Sequence, residues 1–247
     1  MGDRTTGGHD GLRSPVEHGH RDVAGGAARA AVFGISDGLV SNVGLILGVA
    51  GADSAADLVR VAGLAGLLAG AISMAAGEYN SMRVQQELFE RELSLERREI
   101  ERNPSVEAVE LAQRYQSRGV DAGLAQELAA SLMEDPELAL EFHAREELGV
   151  NPGNLGSPVG AALASLAAFT VGALVPLLPW FVLDGTSALI VTLVLAMVAA
   201  LSIGFAISRF TEGPPGRAMA RQLVFTAVPA ALTFAIGSAI GANLEGG

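Results

Sequence analysis

The chain has 247 residues, 50% of them hydrophobic and 5% aromatic, with a mean hydropathy of +0.39 and a formal net charge of −11. A water-soluble domain keeps more polar surface than this, and the apolar residues are bunched into runs long enough to cross a bilayer, so the composition points to an integral membrane protein with lipid as its surroundings. The absence of Cys excludes disulfides and thiolate metal sites, and the acidic balance argues against a nucleic-acid partner.

In chain order, residues 1–29 are polar and Gly-rich and carry His9, His18 and His20. They lack the apolar core of a signal peptide and are expected to form a disordered cytoplasmic tail, with weak metal capture by the three His as a minor reading. Residues 30–52 form a first span whose one charge is Asp37, and residues 61–80 a second. Three further spans, at 159–183, 186–208 and 222–244, carry no charged residue apart from the flanks. The fold class predicted is therefore all-α, with transmembrane helices one and two in 30–80 and helices three to five in 158–244. All 16 basic residues are Arg, and all but Arg60 lie before span one, between spans two and three, or between spans four and five. The positive-inside rule then places the N-terminus in the cytoplasm and the C-terminus outside. Four G-x-x-x-G pairs, Gly34/Gly38, Gly44/Gly48, Gly66/Gly70 and Gly237/Gly241, predict close helix contacts within or between chains. Pro176 and Pro179 in span three and Pro229 in span five are expected to kink their helices.

Residues 81–150 interrupt the membrane pattern with a cytoplasmic acidic insert of three to four helices. From Glu78 to Glu147 there are 17 acidic residues against 8 Arg, a local excess suited to cations. No Pro or helix-stopping Gly separates span two from EYNSMRVQQELFERELSLERREIER, so one helix should run from lipid into water as far as Asn103-Pro104. The next helices are predicted at 105–118 with Ser105 as N-cap, at 121–134 capped by Asp121, and at 136–148 with Asp135 as cap and Pro136 in the first turn. Gly119 and Gly149 mark two of the helix ends.

The candidate metal ligands fall into two groups. In the membrane, a carboxylate such as Asp37 is costly and is kept where it faces a cavity or a partner. Met74 and Glu78, four residues apart, share a face of the second helix, and with Asp37 they could offer oxygen and thioether donors to a divalent cation. Ser41 and Asn42 are further possible oxygens. In the insert, Glu96/Glu99 and Glu107/Glu110 are i,i+3 pairs, which on neighbouring antiparallel helices can point four carboxylates at one space. Solvated Glu–Arg pairs along the helix are the competing reading. Met133 and Glu137 are spaced by four, and Glu141, His143, Glu146 and Glu147 are further candidates on the last helix of the insert. No nucleotide, hydrolase or zinc-protease motif is present in the sequence.

SDGLVSNVGLILGVAGA in span one, GLAGLLAGAISMAAGEY in span two, the acidic helical insert and GALVPLLP in span three resemble the vacuolar iron transporter family across about residues 28–244. The resemblance implies five transmembrane helices and a homodimer with the ion path between protomers. It also implies export of Fe²⁺, with Mn²⁺ a further cargo in some members, coupled to inward proton movement. Carried over residue by residue, it puts Asp37 and Met74 in the path and Glu96, Glu99, Glu107 and Glu110 in a metal-binding insert. Met133 and Glu137 are the match for a later Met-plus-Glu element. No tightly bound cofactor is implied, only Fe²⁺ or Mn²⁺ as the transported ion. The short N-terminus and all-Arg composition suggest a bacterial member in the plasma (inner) membrane. The competing functional reading is a membrane-anchored ferroxidase or metal buffer. Against it, His143 has Leu140 three residues before it and not the Glu of a di-iron Glu-x-x-His motif.

Overall fold

The computed structural model describes residues 26–52, 55–149 and 155–245, and every regular element among them is helical. The expected tail lies largely outside these residues, including its three His. Its last four residues instead begin α1 (Gly26–Ala52). α2 (Ala56–Arg102) is one unbroken helix of 47 residues, about 70 Å long, and its continuity through Glu78–Gln86 joins the membrane span to the insert. It stops because Pro104 cannot extend it. Asn103, kept out of the helical region by the following ring at φ −134 and ψ 53, donates its N–H to Glu99 O at 2.8 Å.

The insert continues as α3 (Pro104–Ser117), α4 (Ala122–Leu132) and α5 (Pro136–His143), the last running into a π-wound turn at Ala144–Leu148. Ser105 is not the N-cap of α3. Asn103 holds that position without a side-chain bond, because Pro104 with its preset φ takes the first helical place. Asp121 and Asp135 cap as expected, each accepting two backbone N–H bonds. α4 ends two residues early, at Leu132, and α5 gives way at His143 to the π turn, which Gly149 closes at φ +64.

The remaining spans are α6 (Pro158–Leu177), followed by a 3₁₀ turn at Leu178–Phe181, α7 (Gly185–Thr211) and α8 (Pro215–Glu245). With α1 and α2 they make five helices long and apolar enough to cross a membrane. Pro176 and Pro229 lie inside α6 and α8, whereas Pro179 falls in the 3₁₀ turn and so kinks no α-helix.

α1 is the centre of the bundle and packs mainly against α6 and α8. These contacts are backbone to backbone. A Cβ on Gly38 or Gly172 would strike the carbonyls of Phe169 or Ile35, and one on Gly237 or Gly241 those of Gly48 or Ala52. The other two pairs are filled by side chains: Thr233 lies against Gly44 and Gly48, Leu45 against Gly66 and Phe169 against Gly70. All four G-x-x-x-G pairs therefore have partners within this chain. One buried core gathers Ile46, Leu67, Phe169, Leu177 and Trp180, a second Leu39, Val43, Leu47, Ala196 and Ala200. At the end of the bundle away from the insert, Arg60 pairs with Asp57 at 2.8 Å and Asp184 at 3.3 Å and donates to Trp180 O, which ties the start of α2 to the 3₁₀ turn.

Candidate metal centre

The membrane group comes from α1 and α2, which pack together. Asp37 is half-buried, and among the described residues no side chain hydrogen-bonds or ion-pairs with its carboxylate. Its neighbours are committed elsewhere. Ser36 accepts from Gln222 Nε2 at 2.7 Å, and the Ser41 hydroxyl donates to the Asp37 carbonyl at 2.6 Å. Asn42 is buried and donates to Ala173 O at 2.7 Å across the α1–α6 contact. The Ser41 hydroxyl proton and the Asn42 amide nitrogen are thus used within the bundle, while Asn42 Oδ1 is buried with no partner among the described residues. Met74 is half-buried against the core that contains Phe169. Glu78 meets Arg29 of α1 at 3.5 Å, which pairs the foot of the span with α1.

The second group is in the insert and is more complete. α2 supplies Glu96, α3 Glu107, α5 His143 and the π turn Glu147. Leu111, Ala112, Ala125, Ala129 and Leu132 form the small core that fixes α3 on α4. Ile100 with Ala139 and Leu140 fixes α5 on α2. These contacts bury Glu96, Glu107 and His143. His143 Nδ1 lies 2.9 Å from Glu96 Oε1, 3.4 Å from Glu147 Oε1 and 3.9 Å from Glu107 Oε2. Donors bound at about 2.1 Å to one divalent ion sit about 3.0–3.4 Å apart, so the Glu96–His143–Glu147 spacing fits a shared cation. The ligand atoms of these three residues all lie within 4.8 Å of one another. Glu96 Oε1 and both ring nitrogens of His143 are buried without an aligned hydrogen bond among the described residues, although buried polar atoms are ordinarily satisfied.

The electrostatics agree. Burial, and then the neighbouring Glu96 charge, raises the Glu107 carboxyl above its ordinary pKa. The same two causes raise Glu147, against an opposing pull from Arg114. For His143 burial is the largest effect and acts downward, but Glu96 and Glu147 together outweigh it and hold the imidazole above its usual value. Each of these groups therefore holds its proton to a higher pH than usual, and a divalent ion would have to compete with that proton.

Of the insert residues expected from sequence, Glu96 and Glu107 face this space. Glu99 and Glu110 are exposed, and Glu110 pairs with Arg114 at 3.4 Å. Met133 packs against the Ile100–Leu140 core and Glu137 is exposed on Arg97 at 3.0 Å, so the structure does not bring either into the Glu96–His143–Glu147 group. The later-helix side chains that face this space are His143 and Glu147, whose i,i+4 spacing in the sequence was the available signal. Glu141 pairs with Arg145, and Glu146, largely buried, pairs with Arg118.

The chain matches the sequence model of the VIT family over residues 28–238. It is 34% identical over 218 residues to vacuolar iron transporter 2 of Oryza sativa subsp. japonica, covering 88% of this chain and 89% of the relative. Vacuolar iron transporter 1 of Eucalyptus grandis is 30% identical over 218 residues, 88% of each chain. The vacuolar iron transporter of Acanthamoeba castellanii is 41% identical over 161 residues, 64% of this chain and 58% of the relative. These relatives are vacuolar proteins of plants and an amoeba, which overturns the expectation of a bacterial plasma-membrane protein. With most of its length and all five spans accounted for, the chain belongs to the VIT family.

Proposed function

We propose that this protein is a transporter that moves Fe²⁺, and Mn²⁺ as a second cargo, out of the cytoplasm, with protons moving in the opposite direction. The observation that carries the reading is the buried Glu96–His143–Glu147 cluster on the same continuous helix as Met74 and Glu78. Oxygen and imidazole donors without thiolate suit borderline divalent ions, and the relatives' names supply iron. The insert, on the Arg-rich side taken as cytoplasmic, collects the ion. Asp37 and Met74 then line the membrane path. Ligand carboxylates must be deprotonated to hold a cation, so protons arriving from the far side release it.

The path is completed by a second copy of the chain. Two features support a homodimer. Asp37 and Met74 remain half-exposed in one protomer. Val84, Leu88 and Leu95, spaced by four and seven, leave an apolar stripe exposed on the insert half of α2. The single His in the cluster and its position outside the membrane favour binding over redox turnover, so the protein is not read as an enzyme. The test is uptake into proteoliposomes from a panel of divalent metals under an imposed pH gradient. The proposal predicts Fe²⁺ and Mn²⁺ flux that Asp37→Ala removes; a wild-type protein that moves neither ion would end it.

A further inference from the structure

Arg114 of α3 touches the collector at the oxygen a metal ion would need. Its Nε lies 3.1 Å from Glu147 Oε1, the same oxygen that faces His143 Nδ1 at 3.4 Å. Its Nη2 reaches Glu110 Oε1 at 3.4 Å. The other Arg–Glu pairs of the insert lie outside the cluster: Arg83 on Glu87, Arg97 on Glu137, Arg118 on Glu146 and Arg145 on Glu141. Among the described residues, Arg114 is the one guanidinium that contacts a cluster oxygen. The arrangement supplies positive charge to a buried group of carboxylates through a side chain that is itself 36% exposed and so free to swing away.

We infer that Arg114 is a tethered counter-cation: it occupies the Glu147 position in the ion-free insert and is displaced when a divalent ion binds. This rests on the reading of the insert as a metal collector. A cation that must leave before the ligand binds lowers apparent affinity, because the bound state forfeits its ion pair. The exposed outer carboxylate, Glu110, already bonded to Nη2, retains the guanidinium once Nε has left Glu147. Arg114 thereby sets how readily the collector lets an ion go, in addition to how it takes one up.

The experiment is a Mn²⁺ titration of the full chain in detergent micelles, following loss of the free-ion paramagnetic resonance signal, for wild type, Arg114→Gln, Arg114→Lys and His143→Ala. Arg114→Gln should tighten binding about two- to fivefold, the range expected for losing one partly exposed competing ion pair. Arg114→Lys should fall between it and wild type, since an ammonium cannot bridge both carboxylates, and it decides the matter if the Gln variant does not fold. Unchanged or weaker binding in both Arg114 variants, with His143→Ala abolishing it, would overturn the inference and make Arg114 a positioning residue for Glu147. Wild-type binding that His143→Ala leaves intact would bring down the collector reading itself, and this inference with it.

Discussion

The two ends of α2 carry the same kinds of ligand in opposite states of completion. At the insert end, residues from four segments of one chain meet in a buried space, with donor spacings already near those of a coordinated ion. At the membrane end, Asp37 and Met74 sit half-exposed, and no side chain among the described residues pairs with the carboxylate. A site that binds can be assembled within a protomer. On the proposed reading, a site that passes an ion onward is left open within one protomer for a second copy to complete. The difference separates holding from moving, and substitutions at the two ends should separate in the same way.

The largest effect is expected at Asp37. Asp37→Ala should abolish Fe²⁺ flux in proteoliposomes and leave Mn²⁺ binding by the insert unchanged. If flux persisted, the membrane group would not be the path. Next is His143→Ala, which should weaken binding at the insert by at least about tenfold, as loss of even a supporting residue of a metal site commonly does. Transport should then slow at low metal concentration and recover at high concentration.

A pH series gives a smaller and graded effect. Glu107 and Glu147 have folded-state pKa values above their unfolded ones, and so does His143. Protonation therefore favours the folded, metal-free insert. That stability is fully present below the ordinary carboxylate value of about 4.3 and is lost as pH rises through the raised values, the His143 contribution going last. Metal binding has the opposite sign, since it needs the same groups deprotonated. The rise in melting temperature produced by Mn²⁺ should be larger at pH 7.5 than at pH 5.5, and equal shifts at both would count against the cluster as the binding site. Smallest of all is Glu137→Gln. It breaks an exposed pair with Arg97, should cost under about 1 kcal/mol, and should leave metal titrations untouched. A clear loss of metal binding there would restore Glu137 to the ligand set.

The membrane architecture was legible because lipid imposes a coarse rule: an apolar run of sufficient length with few charges must span. The unbroken α2 was equally legible, since nothing between Val61 and Arg102 could stop a helix. The insert site was only half legible. Spacing showed that Glu96 with Glu99, and Glu107 with Glu110, share a helix side. Which member of each pair turns inward depends on where α5 docks, and that is set by Ile100, Ala139 and Leu140 in three dimensions. Met133 drew the match because of its thioether, but it lies beside that docking surface and serves as packing. His143 and Glu147 carried the right spacing, yet the π turn that brings Glu147 round to His143 has no signature in the sequence.

The length of α2 has a consequence for how the collector can act. Met74 and Glu96 are separated along a straight helix by about 33 Å, roughly four times the distance over which charges feel one another at physiological salt. Within one protomer no ion can be handed directly from one site to the other. On the proposed reading the insert is a reservoir that raises the local supply near the membrane path, so damage to it should alter the concentration needed for half-maximal flux and spare the maximal rate.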